Sequence, residues 1–161
     1  MLRTFLRSLA LPGLALLAGT VPGYALDVVK TLDVVAPPAK VWATVGDFCG
    51  IGTWHPAIEK CALSTKDGQS LRTLSLKGGG TIVESQVSRD EAGMAYTYTI
   101  VDGPLPVSDY TSTLSVAPSG SGAKLTWKGG FQAKGVPDPV AVDAISGIYE
   151  SGLKAIGEKA K

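Results

Sequence analysis

The sequence predicts an α+β fold, ordered as one strand, two short helices, six further strands and a long C-terminal helix. Three observations lead there. Short alternating segments separated by Gly, Pro and Asp turn signals run from residue 58 to 131 and read as antiparallel strands. After Pro137-Asp138-Pro139 the apolar spacing changes from two residues to a helical period. Neither a repeat nor a linker divides the 161 residues, a length that suits one domain.

Taken in order, residues 1–25 read as a cleaved export signal, leaving a single domain at 26–161. Arg3 and Arg7 precede the apolar stretch Leu9 to Ala18, and Pro22-Gly23-Tyr24-Ala25 puts small residues where a signal peptidase reads. An uncleaved anchor is the alternative, but the stretch is broken by Pro12 and Gly13. It falls short of the roughly 20 residues that cross a bilayer, so no membrane span is expected after cleavage. Residues 27–35 are β-branched and suit a first strand, ended by Pro37 and Pro38. Val41, Val45 and Phe48, with Trp42 beside them, place a short amphipathic helix up to about Asp47. Cys49 to Pro56 holds two glycines and a proline and reads as a tight turn or one-turn helix.

Strands follow at 58–64, 69–77, 81–89, 95–101, 107–117 and 123–132. Asp67-Gly68, Gly78-Gly79-Gly80, Glu91-Ala92-Gly93, Gly103-Pro104-Leu105-Pro106 and Pro118 to Gly122 break them. The last helix is expected to take Asp138 as N-cap and Pro139 at its first position, where a missing N–H costs nothing. Ala141, Ile145, Ile148, Gly152 and Ile156 form its apolar face. Gly147, Gly152 and Gly157 each cost about 1 kcal/mol against alanine, which points to close packing on a sheet or to room for a ligand.

Composition narrows the function. With 45% hydrophobic and 18% charged residues the chain can bury a core. A formal charge of +1 from 15 basic and 14 acidic residues gives no cationic field, which excludes nucleic acid as a partner. One histidine and two cysteines fall short of the usual zinc sets, no dinucleotide motif is present, and neither a metal nor a cofactor is expected. A catalytic triad could draw only on His55. In an oxidising compartment Cys49 and Cys61 are expected to pair as a disulfide, with two separately buried thiols as the alternative.

Strand alternation assigns the inward faces. Arg72, Leu74 and Leu76 share one face, as do Tyr96, Tyr98 and Ile100, then Tyr110, Ser112, Leu114 and Val116, then Leu125, Trp127 and Phe131. Each is aromatic or aliphatic with a few polar groups, which fits a concave pocket for a small hydrophobic or amphipathic ligand. For 81–89 the alternation permits either Ile82, Glu84 and Gln86 or Val83, Ser85 and Val87 inward, and by itself favours the valines.

Ala36-Pro37-Pro38-Ala39-Lys40-Val41-Trp42, Phe48 to Pro56 with its Trp-His-Pro, Leu71-Arg72, Glu84 six residues before Asp90, and Tyr110-Thr111-Ser112 carry a family likeness. With the element order, they make residues 27–161 resemble the START/birch-pollen-allergen (SRPBCC) superfamily, in its polyketide cyclase/dehydrase branch. The resemblance implies a helix-grip fold, a curved antiparallel seven-stranded sheet wrapped around the C-terminal helix. It also implies that Glu84 points inward, as the matching glutamate does in the abscisic-acid receptors and the lachrymatory-factor synthase. In that synthase this glutamate and an arginine matching Arg72 are regarded as the catalytic pair. In the receptors the residues matching Tyr110 and Ser112 line the cavity, and a lysine in the place of His55 meets the ligand's carboxylate. The receptors' gate and latch are replaced here by Gly78-Gly79-Gly80 and Gly103-Pro104-Leu105-Pro106, so hormone reception is not implied.

The expected function is an exported, periplasmic or secreted carrier that binds its ligand through His55, Arg72, Glu84, Tyr98, Tyr110, Ser112, Trp127 and Ile148. One alternative is a cofactor-free cyclase, dehydratase or isomerase using Glu84, Arg72 and a tyrosine hydroxyl. Another is an accessory protein with a periplasmic dehydrogenase as partner, as in the MxaD-type members of methanol oxidation. The bland readings are a structural salt bridge for Arg72 and Glu84, a structural turn residue for His55, and plain cavity lining for the tyrosines.

Overall fold

The computed structural model describes residues 25–161, so the expected signal segment upstream of Ala25 lies outside the described residues. Seven strands, β1 (Leu26–Val34), β2 (Ile58–Lys66), β3 (Gln69–Leu76), β4 (Thr81–Asp90), β5 (Ala95–Asp102), β6 (Val107–Ser119) and β7 (Gly122–Ala133), pair antiparallel. Their order is β1-β7-β6-β5-β4-β3-β2, so six run consecutively and only β1 crosses, to the far edge beside β7. The crossing is made by two short helices, α1 (Pro38–Val45) and α2 (Ile51–Trp54). The long helix α3 (Asp138–Lys159) packs against β1 and β7 and touches both short helices.

Local chemistry sets most boundaries. Asp67 and Gly68 have φ of 53° and 78°, the left-handed pair of a two-residue hairpin turn, and they join β2 to β3 with Lys66 opposite Gln69. Helix α1 opens on Pro38 and stops two residues short of Asp47, because Gly46 takes φ 73°. Helix α3 starts one residue earlier than the sequence predicts. Pro137 occupies the N-cap, with no capping side chain, and Asp138 is already helical, where its carboxylate meets the positive end of the helix dipole.

The strand whose orientation alternation leaves open is resolved against the valines. Ile82 and Glu84 are buried, whereas Val87 is 57% exposed. The β4–β5 register shifts twice, between Val83 and Glu84 and between Gln86 and Ser88. The first leaves the extra residue, Val101, in β5; the second leaves Val87 extra in β4 and breaks its period of two, so by Arg89 the inward set of β4 has moved to odd numbers. Arg89 lies over the Trp42 ring at 4.6 Å and donates to the Gly46 carbonyl at 2.9 Å, which ties α1 to the sheet.

The buried face of α3 is broader than the predicted one and leaves out one of its members. Ala141, Ile145, Gly152 and Ile156 are buried as the spacing predicts, but Tyr149, Leu153 and Gly157 complete the buried set and Ile148 is only half-buried. Of its glycines, Gly147 faces open space, whereas a Cβ on Gly152 would stand 2.5 Å from the Trp127 ring and 2.9 Å from His55. Gly147→Ala should therefore raise stability by about 1 kcal/mol through helix propensity. Gly152→Ala should lower it by about 1–3 kcal/mol through overpacking against rings that cannot yield. Urea unfolding of the two variants checks this, and equal effects of one sign would contradict the packing described.

Cys49 and Cys61 form a disulfide with Cα atoms 5.6 Å apart, fastening the α2 turn to β2. Closing a loop of this length contributes about 3 kcal/mol on the chain-entropy argument. Among the described residues no helix is long and apolar enough to cross a membrane.

Candidate functional site

Between the inward face of β3 to β7 and helix α3 lies a cavity of about 200 Å³. Leu74, Leu76, Ile82 and Ile100 supply its sheet wall, Ile51, Ala57 and Ile58 one end, and Ile145 and Ile148 the helix side. Among the described residues, the lining side chains that carry polar atoms are His55, Glu84, Tyr98, Tyr110 and Trp127. The β3–β4 turn and the loop before β6 approach each other beside it, Leu76 and Leu105 lining the cavity and a Cβ on Gly80 falling 3.9 Å from Pro104. A larger groove of about 300 Å³ runs between β1 and the end of α3, but Asp33, Lys154, Glu158 and Lys161 along it are exposed, and it holds none of the buried polar groups.

Arg72 stands behind Glu84 and is fully buried. Its Nε donates to Glu84 Oε2 at 2.5 Å, its Nη1 donates to the Phe48 carbonyl at 2.5 Å, and Nη2 is buried without a partner among the described residues. The guanidinium lies 4.2 Å from the centre of the Phe48 ring and 4.9 Å from that of Tyr98, a cation–π cradle that replaces part of its lost hydration. Burial works against the charge on Arg72, yet the neighbouring Tyr96 and Glu84 outweigh it and hold the pKa above its ordinary value. Burial pushes the Glu84 carboxyl up, with Arg72 pulling the other way. Because a guanidinium is never deprotonated and an unpaired buried charge is costly, the pair is ionic. Glu84 Oε1, the second carboxylate oxygen, makes no hydrogen bond among the described residues and belongs to a residue of the cavity wall.

Behind the tyrosines the direction of every hydrogen bond can be worked out, since each hydroxyl has one hydrogen. Ser112 Oγ donates to the Lys128 carbonyl at 2.8 Å, so in its 2.8 Å contact with Tyr149 the tyrosine donates. Tyr110 then donates to Tyr149 at 2.6 Å, and Tyr98 to Tyr110 at 3.2 Å. Trp127 Nε1 donates between the Tyr98 and Ser112 oxygens at 3.1 and 3.0 Å. The chain thus runs from Tyr98 inward and ends on a backbone carbonyl. Burial raises the pKa of all these phenols, well above the ordinary value for Tyr98 and Tyr110 and to about 12 for Tyr149.

His55 is buried at the end of α2. Its Nδ1 accepts from the Ala57 amide at 3.2 Å, so Nε2 carries the hydrogen and donates to the Ile148 carbonyl at 3.1 Å. Burial lowers its pKa against the pull of that carbonyl, with Arg72 adding to the fall. A depressed folded value means that stability from the neutral ring is present above pH 6.5 and lost as pH falls through the lower value. As His55 is the one histidine, subtracting the melting temperatures of His55→Gln from those of the wild type should show a difference that shrinks from pH 7.5 to pH 5. A constant difference would refute the assignment.

The structure therefore brings His55, Glu84, Tyr98, Tyr110, Trp127 and Ile148 to one cavity, and sets Arg72 and Ser112 behind its wall. The sequence reading missed Tyr149, which stacks on Trp127 at 4.7 Å and 8° and joins the hydroxyl chain. Its position four residues after Ile145 is the signal that could have found it. Among the described residues no cluster of three or more His, Cys, Asp or Glu could hold a metal ion.

A curved seven-stranded sheet closed by a C-terminal helix over an apolar cavity defines a helix-grip protein of the START/birch-pollen-allergen (SRPBCC) superfamily. The family described as polyketide cyclase / dehydrase and lipid transport matches residues 25–161, and the chain belongs to it. Among solved structures it is similar to the protein XoxI from Bacillus cereus, with 31% identity and a TM-score of 0.77 over 83% of this chain and 94% of that one. The ZhuI aromatase/cyclase from Streptomyces sp. R1128 is 18% identical with a TM-score of 0.68, over 85% of this chain and 94% of that one. Ara h 8.0201 is 22% identical with a TM-score of 0.68, over 85% and 98%. The last two share the fold alone. No curated protein matches the sequence.

Proposed function

We propose that the protein is an exported carrier that holds a small hydrophobic or amphipathic molecule in the cavity beneath α3. The carrying observation is a cavity of about 200 Å³ with an almost wholly apolar wall and one carboxylate. A dry cavity of about 150 Å³ accepts benzene, so the volume suits one substituted ring or a short branched chain. Periplasmic or secreted location is supported by the Cys49–Cys61 disulfide, and by β1 starting at Leu26, one residue after the expected cleavage point.

A second reading, proton-transfer catalysis on Glu84, draws on its raised pKa and its position on the wall. Against it, the phenols are hydrogen-bonded inward with raised pKa values, and the lone pair of His55 is held by Ala57. Among the described residues, the lining side chains that could exchange a proton with a substrate alongside Glu84 are thus already engaged within the protein. Native mass spectrometry of the protein isolated from the periplasm of its own host tests the carrier reading. A retained small molecule on a chain beginning near Leu26 is expected; an empty protein that turns over a cyclisation or dehydration substrate would favour the enzyme.

A further inference from the structure

We infer that the cavity selects molecules whose polar end is a hydrogen-bond donor, a hydroxyl or an amine, seated on Glu84 Oε1, and discriminates against ligands that offer only acceptors. The inference rests on the carrier reading above and adds the polarity of its ligand.

It follows from tracing each polar hydrogen on the wall. Tyr98 gives its hydrogen to Tyr110, and Tyr110 gives its own to Tyr149. Trp127 directs its N–H between two hydroxyl oxygens of the wall, and His55 directs its N–H to the Ile148 carbonyl. Every N–H and O–H of the lining side chains is therefore committed within the protein. A ligand carbonyl, ether or carboxylate entering the cavity would lose water and find no donor among them, a desolvation without return.

Acceptor capacity is left over. Glu84 Oε2 is bound by Arg72, whereas Oε1 has no partner among the described residues. The unpartnered Nη2 of Arg72 does not alter this, because Arg72 is fully buried behind Glu84 and contributes nothing to the cavity lining. Tyr98, Ile100 and Ile82 line the same cavity as Glu84, whose wall is overwhelmingly apolar. A donor on the ligand completes the hydrogen bonding of a desolvated anion, and charge-assisted bonds of this kind are about twice as strong as neutral ones. A negatively charged ligand would be repelled by the same oxygen.

The test compares three probes of one shape class by isothermal titration: p-cresol (donor), 4-methylanisole (acceptor only) and toluene (neither). The wild type should bind p-cresol at least tenfold more tightly than toluene, and 4-methylanisole no better than toluene. In Glu84→Gln the amide oxygen faces Arg72 and the amide N–H group faces the cavity, so the gap between p-cresol and 4-methylanisole should close by tenfold or more. If that variant fails to fold, Glu84→Asp keeps the charge opposite Arg72 but withdraws the free oxygen, and it should lose the p-cresol preference. Equal binding of p-cresol and toluene, or 4-methylanisole binding as tightly as p-cresol in the wild type, overturns the donor preference while leaving the carrier reading intact. Binding of none of the three overturns the carrier reading for ligands of this size, and the inference with it.

Discussion

Arg72→Ala is expected to cost about 3–5 kcal/mol, the loss that follows when one partner of a buried ion pair is removed. Three things go at once. Glu84 loses the donor on Oε2, the Phe48 carbonyl loses its 2.5 Å donor, and the Phe48 and Tyr98 rings lose the guanidinium packed between them. The pH dependence identifies the cause. Without its cation the Glu84 carboxyl keeps only the desolvation that raises its pKa, so the folded value lies further above the unfolded 4.5. A group raised on folding favours the fold below its unfolded pKa and opposes it as pH rises through its folded pKa. The deficit in urea-unfolding free energy should therefore be larger at pH 8 than near pH 5. A deficit independent of pH would assign the loss to packing alone, and a deficit below about 1 kcal/mol would mean the pair is not buried as described.

Tyr149→Ala should be about as damaging, with a loss of about 3–5 kcal/mol, as for other large aromatic side chains removed from a core. Tyr149 is fully buried, stacks on Trp127, donates to Ser112 and accepts from Tyr110. Its hydroxyl also occupies the place a side chain on Gly129 would take, so ring and glycine are matched across α3 and β7. Tyr149→Phe keeps the stack and should lose only about 1–2 kcal/mol, the effect of leaving buried partners without their hydrogen bonds. The neighbouring Ile148→Ala removes half-buried surface from the cavity wall and should cost less than Tyr149→Ala while enlarging the cavity. Chemical denaturation of the three variants checks the order, and Ile148→Ala emerging as the worst would reverse the assignment of which residue anchors the helix.

Much of this protein is determined by local pattern. The inward sets on β3, β5, β6 and β7 follow from a period of two, because successive side chains of an unbroken strand must point to opposite faces. The order of elements follows from turn residues, and the start of α3 from a Pro-Asp-Pro run to within one residue. The tertiary structure decided what depends on a partner distant in the chain. Alternation within β4 offers two sets, and packing against the core chose Ile82 and Glu84 over the valines, while the bulge at Val87 opposite β5 brought the odd-numbered Arg89 inward, an outcome that no alternation within β4 encodes. Tyr149 outranked Ile148 because Trp127 and Gly129 on β7 offer a flat ring and an empty Cβ position where the helix meets the sheet. Arg72 was readable as inward but not as standing behind Glu84, since its depth is set by Phe48 at the far side of the α2 turn. The donors and acceptors left to a ligand were decided last, because a hydroxyl's hydrogen goes wherever the assembled network sends it, and that network joins β5, β6, β7 and α3.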